Sequence, residues 1–162
     1  MSRRVVPQWR AIAIGIVGLA VATVVVAEST SPTERVEAPA VDFSGLQGLG
    51  ADWREENPYR NDPTAIAVGR QAFDQACQRC HGPDALGRGP APNLRRLSAY
   101  CKRITDADMQ RACFQDNDAY FLKAVLRGRT KVGVLHMPAW QGILSQELVW
   151  ALKSYVDSPV QR

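Results

Sequence analysis

The sequence contains few of the side chains from which metal and catalytic sites are usually built. Among its 162 residues are four cysteines and two histidines. No second Cys-x-x-Cys pair and no closely spaced pair of histidines is present, which argues against a tetrahedral zinc site. No acid, base and nucleophile form a recognisable catalytic pattern. We therefore expect a protein that is not an enzyme.

The charged residues argue against two further classes of protein, those that bind nucleic acid and those that bind calcium. The formal net charge is +4, but residues 1–27 hold three arginines and no acid, so the remainder is close to +1. This balance gives little support to nucleic-acid binding. Four acids cluster later in the chain without a glycine-turned loop or a closing glutamate, so we interpret them as helix caps and solvated side chains rather than a calcium site. They are Asp106, Asp108, Asp116 and Asp118.

Residues 1–27 have the composition of a secretory signal. A short basic start is followed by an apolar or small run from Ala11 to Ala27, which ends in a small-residue cleavage pattern before Glu28. This run of 17 residues is at the lower limit for spanning a bilayer, so an uncleaved membrane anchor is the alternative. We expect cleavage and export to a bacterial periplasm, where disulfides persist.

The stretch Cys77-Gln78-Arg79-Cys80-His81 carries the strongest chemical signal. Cysteines three positions apart on a helix can bond both vinyl groups of one haem, and the adjacent His81 can ligate the iron. The motif therefore predicts covalent attachment of one haem c through Cys77 and Cys80. A thioredoxin-like redox pair is the alternative, but it requires a preceding strand and a βαβ pattern, and neither is visible.

The compact domain is predicted to span residues 63–162. Asp62 can cap a helix that has Pro63 in its first turn and delivers the haem motif. Gly69 inside this helix predicts the close approach of another helix, because glycine would otherwise cost stability there. Phe73 would fill the space beside that contact, and Tyr155 in the last helix is the candidate aromatic partner.

Further helix signals follow in the second half of the chain. Thr105 is predicted as an N-cap, with Met109 packed in a hydrophobic staple. Asp116 or Asn117 is predicted to start the next helix. Ser145 caps the last helix, which has an apolar face.

The segment 28–62 differs in composition from the domain. It holds eight acids and three bases, and no sustained helical or strand period is visible. A flexible linker is one interpretation of this acidic extension. The other is a segment whose apolar side chains pack over the domain or a partner, with the later part more ordered. Those side chains are Phe43, Leu46, Leu49, Trp53 and Tyr59.

Cys101 and Cys113 are the cysteines that the haem motif leaves over. In an oxidising compartment we predict that they form a disulfide, which staples an insertion at residues 101–116. Free thiols or a second redox function are the alternative.

Met137 is the predicted second iron ligand. A thioether is a soft ligand that suits haem iron, and Pro138 stiffens the chain beside it. Core filling is the usual role of a single methionine, and His136 is the alternative ligand. The placement in a loop between two helices, some 56 residues after His81, favours Met137.

Basic residues precede this proposed ligand. Arg127, Arg129 and Lys131 form either a solvated turn or a docking surface for a partner protein. Residues 63–162 carry 14 bases and 8 acids, which suits steering towards an acidic partner and predicts sensitivity to salt.

Over residues 63–158 the chain resembles the class I cytochrome c family. The matching residues are Gly69, Phe73, Cys77, Cys80, His81, Pro92-Asn93-Leu94, Met137-Pro138 and Tyr155-Val156. The resemblance implies a small all-α fold of about four to five helices around one covalent haem, with crossing terminal helices. It also implies that the Pro92 carbonyl orients His81 and that Leu94 lies against the porphyrin.

More narrowly, the chain is similar to the cytochrome c-550 group that accepts electrons from pyrroloquinoline-quinone (PQQ)-dependent alcohol dehydrogenases. The residues concerned are Asn57-Pro58-Tyr59-Arg60, the Cys101 to Cys113 insertion and Arg127-Gly128-Arg129-Thr130. The resemblance implies a periplasmic electron carrier with such a dehydrogenase as donor and a terminal oxidase or another cytochrome as acceptor. A tightly bound subunit of a dehydrogenase complex and a haem-based sensor are the alternatives.

Overall fold

A computed structural model describes residues 36–160 of the chain. Within that range, four α-helices and one two-stranded sheet are joined by short 3₁₀ turns. The elements are α1 (Pro63–Ala76), α2 (Gln78–His81), α3 (Ala107–Arg127), β1 (Arg129–Lys131), β2 (Val134–Met137) and α4 (Gln146–Asp157), with 3₁₀ turns at Pro83–Ala85, Leu94–Arg96 and Cys101–Arg103. The predicted fold of about four to five helices is confirmed, with one short hairpin in addition.

The predicted signal segment and residues 28–35 of the extension lie outside the described residues. Between residues 36 and 160, no helix combines the length and the apolar character that crossing a membrane requires.

Helix α1 begins where its local signals predict. Asp62 has an extended backbone, and its carboxylate accepts hydrogen bonds from the amides of Thr64 and Ala65 at 2.8 and 3.2 Å. Pro63 occupies the first turn, where a missing amide hydrogen costs nothing. The predicted cap is confirmed, and it fixes the start of the helix that leads to Cys77.

Helices α1 and α4 pack against each other at the centre of the core. A Cβ at Gly69 would stand 2.0 Å from the carbonyl oxygen of Ala151, so the two backbones touch at this point. One turn further along α1, the ring of Phe73 contacts the ring of Tyr155, with 5.3 Å between centroids. The predicted close approach at Gly69 is therefore confirmed, with the backbone of α4 as its partner.

The acidic extension packs onto the domain over residues 36–62. Leu46, Leu49 and Tyr59 are buried in the same core as α1 and α4. The side-chain oxygen of Gln146, at the start of α4, accepts a hydrogen bond from the amide of Arg54 at 2.7 Å. A flexible linker does not describe these residues, because they cover a face of α4 that would otherwise meet water.

Helix α3 differs from the prediction in three respects. It is unbroken, so the helix start predicted at Asp116 or Asn117 is wrong. Its N-cap is Asp106, which accepts a hydrogen bond from the amide of Met109 at 2.8 Å, and not Thr105. Met109 is 62% exposed, so its predicted packing role is also wrong. Thr and Asp both cap helices well, and their adjacency moved the predicted boundary by one residue.

Asp118 was predicted to be a capping or solvated acid, and this is wrong because it is fully buried. Its carboxylate pairs with the guanidinium of Arg60 and with the Lys153 ammonium, the latter at 3.4 Å. The amide of Asn57 also donates to it at 2.8 Å. Lys153 is itself buried and bonds to Asp157 at 2.5 Å. Burial of these charges is possible because each is paired, and the network fastens the extension to α3 and α4.

A β-hairpin occupies the segment that the sequence pattern indicated as a turn and loop. Strands β1 and β2 are antiparallel, with Lys131 opposite Val134. Val132 and Gly133 form the tip at φ values of 49° and 75°. Two residues with positive φ are typical of tight hairpins, but asparagine or glycine usually fills both positions. Val132 concealed the signal because β-branched residues rarely adopt this conformation.

Cys101 and Cys113 are joined by a disulfide, with their Cα atoms 5.5 Å apart. Replacing both with serine should lower the free energy of unfolding by about 2–4 kcal/mol, because the unfolded chain regains the freedom that the closed loop removes. Urea denaturation of the double variant and of the wild type measures the loss. Reduced wild type is the control and should lose a similar amount. An unchanged urea midpoint would contradict a stabilising role.

Candidate functional site

The segment Cys77 to His81 forms a single helical turn. The amides of Cys80 and His81 both donate to the carbonyl of Cys77, at 3.2 and 3.0 Å. Residues at i, i+3 and i+4 share one helix face, so this turn places both thiols and the imidazole on one side of the chain. Neither cysteine takes part in a disulfide. The arrangement suits two covalent attachments and one axial ligand on the same planar group.

The environment of Cys77 is unsuitable for thiol–disulfide exchange. Desolvation by the surrounding core, together with a smaller contribution from the neighbouring Cys80, raises the pKa of its thiol to about 12. A redox-active cysteine needs a lowered pKa, because the thiolate is the nucleophile. In addition, helix α1 precedes the motif where a thioredoxin-like site would have a strand. A thioether, which does not titrate, fits this half-buried position better.

The backbone after His81 folds back over the motif. The amide of Gly87 donates to the His81 carbonyl at 2.8 Å, and the amide of Ala91 donates to the Cys80 carbonyl at 3.0 Å. These bonds bring Pro92 next to the imidazole. The position of this loop is therefore set by the same turn that carries the two thiols.

The His81 ring has a fixed orientation. Its Nδ1 lies 3.1 Å from the carbonyl oxygen of Pro92. Because a carbonyl can only accept, Nδ1 must carry the hydrogen, and a neutral ring then has its lone pair on Nε2. This tautomer is the one that can bind a metal through Nε2, and the hydrogen bond to the carbonyl orients the ring for that role.

Leu94 and Leu97 follow Pro92 and are half-buried against the core. Leu94 begins the 3₁₀ turn at Leu94–Arg96, and Leu97 follows that turn. Apolar side chains at this position would exclude water from one face of a bound ring.

Met137 ends strand β2 and packs against the core. Gly128, which ends α3, lies so close to it that a Cβ there would stand 2.4 Å from the Met137 carbonyl oxygen. The amide of Trp140 donates to the Val125 carbonyl at 3.0 Å, which ties the chain after Met137 to α3. His136 is exposed, as are Val134 and Leu135 before it, whereas Met137 is half-buried. Of the two ligand candidates, the residue that packs inward is Met137.

The donor set fits a haem better than a bare metal ion. Within residues 36–160, no group of three or more His, Cys, Asp or Glu side chains could hold a metal ion. A porphyrin supplies four ligands of its own, so one imidazole and one thioether are sufficient.

The predicted docking residues lie on and beside the hairpin. Arg127 and Lys131 are exposed, whereas Arg129 is half-buried and stacks over the ring of Tyr120 at 4.6 Å. Sequence reasoning missed the exposed apolar side chains that follow these bases on the hairpin. They are Val132, Val134 and Leu135, which are 101%, 59% and 62% exposed. Gly133 was the available signal of a tight turn, although Val132 beside it concealed the hairpin.

Known proteins resemble this chain over most of its length. Residues 64–156 match the family model described as cytochrome c oxidase, cbb3-type, subunit III. The chain is 37% identical to cytochrome c550 of Pseudomonas aeruginosa over 127 residues, which cover 76% of this chain and 78% of that protein.

Two more distant likenesses accompany this match. The chain is 30% identical over 105 residues to the quinohemoprotein alcohol dehydrogenase ADH IIB of Pseudomonas putida, a match that covers 65% of this chain and 13% of that enzyme. Among solved structures, cytochrome CL of Methylophaga aminisulfidivorans matches with a TM-score of 0.47 at 22% identity, covering 76% of this chain and 79% of that chain.

Proposed function

Because this chain belongs to the cytochrome c family, we propose that it is a periplasmic monohaem carrier. It accepts electrons from a PQQ-dependent alcohol dehydrogenase and passes them to a terminal oxidase or another cytochrome. The observation that carries the proposal is the helical turn from Cys77 to His81, with the His81 ring held by the Pro92 carbonyl at 3.1 Å.

Each site residue has one task in this proposal. Cys77 and Cys80 would hold the haem through thioether bonds, and His81 and Met137 would ligate its iron. The haem would supply one-electron chemistry, with a potential raised by His/Met ligation and burial. Leu94 would exclude water from the ring. With two ligands from the chain, the iron would have no free position for a substrate, which suits electron transfer.

Two features support a quinoprotein dehydrogenase as the donor. The partial match to a quinohemoprotein alcohol dehydrogenase associates a domain of this kind with that class of enzyme. The second feature is the extension, in which Asn57 and Arg60 anchor the chain on Asp118. Both residues belong to the stretch by which the sequence resembles the cytochrome c-550 group.

A charged docking surface is the proposed site of contact with the donor. Residues 119–146 contain four lysines or arginines and no acid, and Arg127, Arg129 and Lys131 come directly before the exposed Val132 at the hairpin tip. A donor with an acidic rim and an apolar recess would match this surface.

Reversing two charges on this surface tests the assignment. We expect the double variant Arg127→Glu, Lys131→Glu to be reduced by a PQQ-dependent alcohol dehydrogenase about tenfold more slowly at low salt, because steering is lost. The difference should shrink as ionic strength rises. Stopped-flow absorbance of the haem measures the rate.

The matched control lies at the other end of the same helix. Arg111 is exposed and stands 16 residues before Arg127, which is about 24 Å along α3. The single variant Arg111→Glu should slow the reaction far less than the single variant Arg127→Glu, which changes the net charge by the same amount. Equal slowing by both changes would mean that net charge, and not the hairpin surface, determines the rate.

A permanent subunit of an oxidase or dehydrogenase complex is the second candidate, favoured by the family model that describes an oxidase subunit. Gel filtration separates the two possibilities. A free carrier leaves its partner at high salt, whereas a subunit elutes with it.

The first experiment on function is an absorption spectrum of the exported protein, oxidised and reduced, from cells with haem-attachment machinery. A c-type reduced spectrum together with the ferric thioether charge-transfer band is the expected result. Covalent haem without that band would remove Met137 from the ligand set. Absence of haem would overturn the proposed function.

A further inference from the structure

We propose that Arg95 is a positioning residue that sets the orientation of the His81 imidazole. The inference rests on the proposed function, because it concerns an axial ligand of a covalently bound haem. Arg95 does not touch the haem motif; it acts through the loop that carries Pro92.

The Arg95 guanidinium joins three segments of the chain. Its Nε donates to the carbonyl of Asp84 at 2.7 Å. Its Nη1 donates to the carbonyls of Tyr155 and Ser158, the second at 2.8 Å. Helix α4 ends at this point, where a cation is favourable. The Tyr155 carbonyl also accepts hydrogen bonds from the amide of Ser158 at 3.2 Å and from its hydroxyl at 2.8 Å. Hydrogen bonds from a charged donor are stronger than neutral ones.

The Arg95 guanidinium also stacks on Tyr155, whose ring contacts Phe73 in α1. Its central carbon lies 4.3 Å from the ring centre of Tyr155, and the Tyr155 ring contacts Phe73 at 5.3 Å. Phe73 stands one turn before Cys77 in the helix that delivers the haem motif. Arg95 is therefore connected to the elements on both sides of His81.

These contacts fix both ends of the loop that holds the imidazole. Asp84 comes three residues after His81, and Pro92 comes three residues before Arg95. Because Arg95 binds the Asp84 carbonyl, the stretch that contains Pro92 cannot slide relative to His81. Its carbonyl then stays 3.1 Å from Nδ1. Loss of the Arg95 contacts should lengthen the hydrogen bond between His81 and Pro92 at a smaller disturbance than is needed to unfold the domain.

Arg96 provides a matched control, since it is the next residue along and is exposed. Substituting it removes the same charge from almost the same place. Lysine at position 95 provides a second comparison, because it keeps the charge but lacks the planar fork that reaches several carbonyls and stacks on Tyr155.

The experiment compares the haem-loaded variants Arg95→Gln, Arg95→Lys and Arg96→Gln with the wild type. NMR of the ferric proteins follows the haem methyl shifts, which report the plane of the axial imidazole, and the exchange of the His81 Nδ1 hydrogen with water. Spectroelectrochemical titration gives the reduction potential. Denaturant unfolding of each protein measures global stability separately.

For Arg95→Gln we expect Nδ1 hydrogen exchange about tenfold faster or more, as the loss of charge-assisted hydrogen bonds implies. We also expect a rearranged pattern of haem methyl shifts and a higher potential, because a ring that donates less firmly to a carbonyl is a weaker ligand for ferric iron. Arg95→Lys should be intermediate, and Arg96→Gln should match the wild type.

Normal exchange, methyl shifts and potential in Arg95→Gln, with only its stability reduced, would overturn the inference and leave Arg95 as a helix cap. If that variant does not fold, Arg95→Lys decides the question by the same readings. A wild type without covalent haem would instead overturn the proposed function, so the two failures are distinguishable.

Discussion

The variant Gly69→Ala is expected to lose about 3 kcal/mol or more of its free energy of unfolding. Alanine is the better helix former by about 1 kcal/mol, so propensity alone would stabilise the variant. The added Cβ, however, would stand 2.0 Å from the carbonyl oxygen of Ala151 and 2.4 Å from its carbon. Backbone atoms cannot rotate away as a side chain can, so α1 and α4 must separate and lose apolar burial along their contact.

Denaturant unfolding of the haem-loaded protein measures this loss. Gly48→Ala is the matched control, because nothing lies within 4 Å of a Cβ at that position, and we expect its stability to be close to that of the wild type. Retention of full stability by Gly69→Ala would mean that α1 and α4 do not touch at Gly69.

Elements whose signals lie within a few residues could be predicted from the sequence. The start of α1 depends on Asp62 and Pro63, and the start of α4 depends on Ser145, whose hydroxyl accepts from the Leu148 amide at 3.3 Å. Each of these caps is complete within four residues, so no tertiary information is needed.

The buried charges could not be predicted in this way. Asp118 pairs with Arg60, which is 58 residues away, and with Lys153, which is 35 residues away. The local sequence around an acidic residue is the same whether its carboxylate faces water or pairs with three groups that are distant in the chain. The extension was ambiguous for the same reason, because Leu46 and Leu49 are buried in a core that they share with the distant helices α1 and α4.

Part of the candidate site could be predicted from local sequence, and part of it could not. The spacing of Cys77, Cys80 and His81 was sufficient to predict one helical face. The contact of His81 with Pro92 came from family resemblance, since no residue pattern places a carbonyl beside an imidazole. Arg95 had no signal, because its acceptors are backbone oxygens that every residue possesses.

The variant Met137→Ala is expected to have the largest effect on the haem. Removing the thioether takes away one proposed axial ligand, and the smaller side chain leaves space at the inner end of β2, where residue 137 packs against the core. We expect the ferric charge-transfer band of thioether ligation to disappear and carbon monoxide to bind the reduced protein. The potential should fall by on the order of 100 mV, within the roughly 0.8 V over which axial ligands set haem potentials.

The variant His136→Ala distinguishes Met137 from His136 as the iron ligand. His136 is the adjacent exposed residue on the same strand, so its loss should leave the spectrum, the potential and the resistance to carbon monoxide unchanged. If His136→Ala opened the iron and Met137→Ala did not, the imidazole would be the ligand. The register of strand β2 would then have to shift by one residue, which would bury His136 and expose Met137. The packing of Met137 against the core opposes that rearrangement, because the burial of its apolar side chain would be lost.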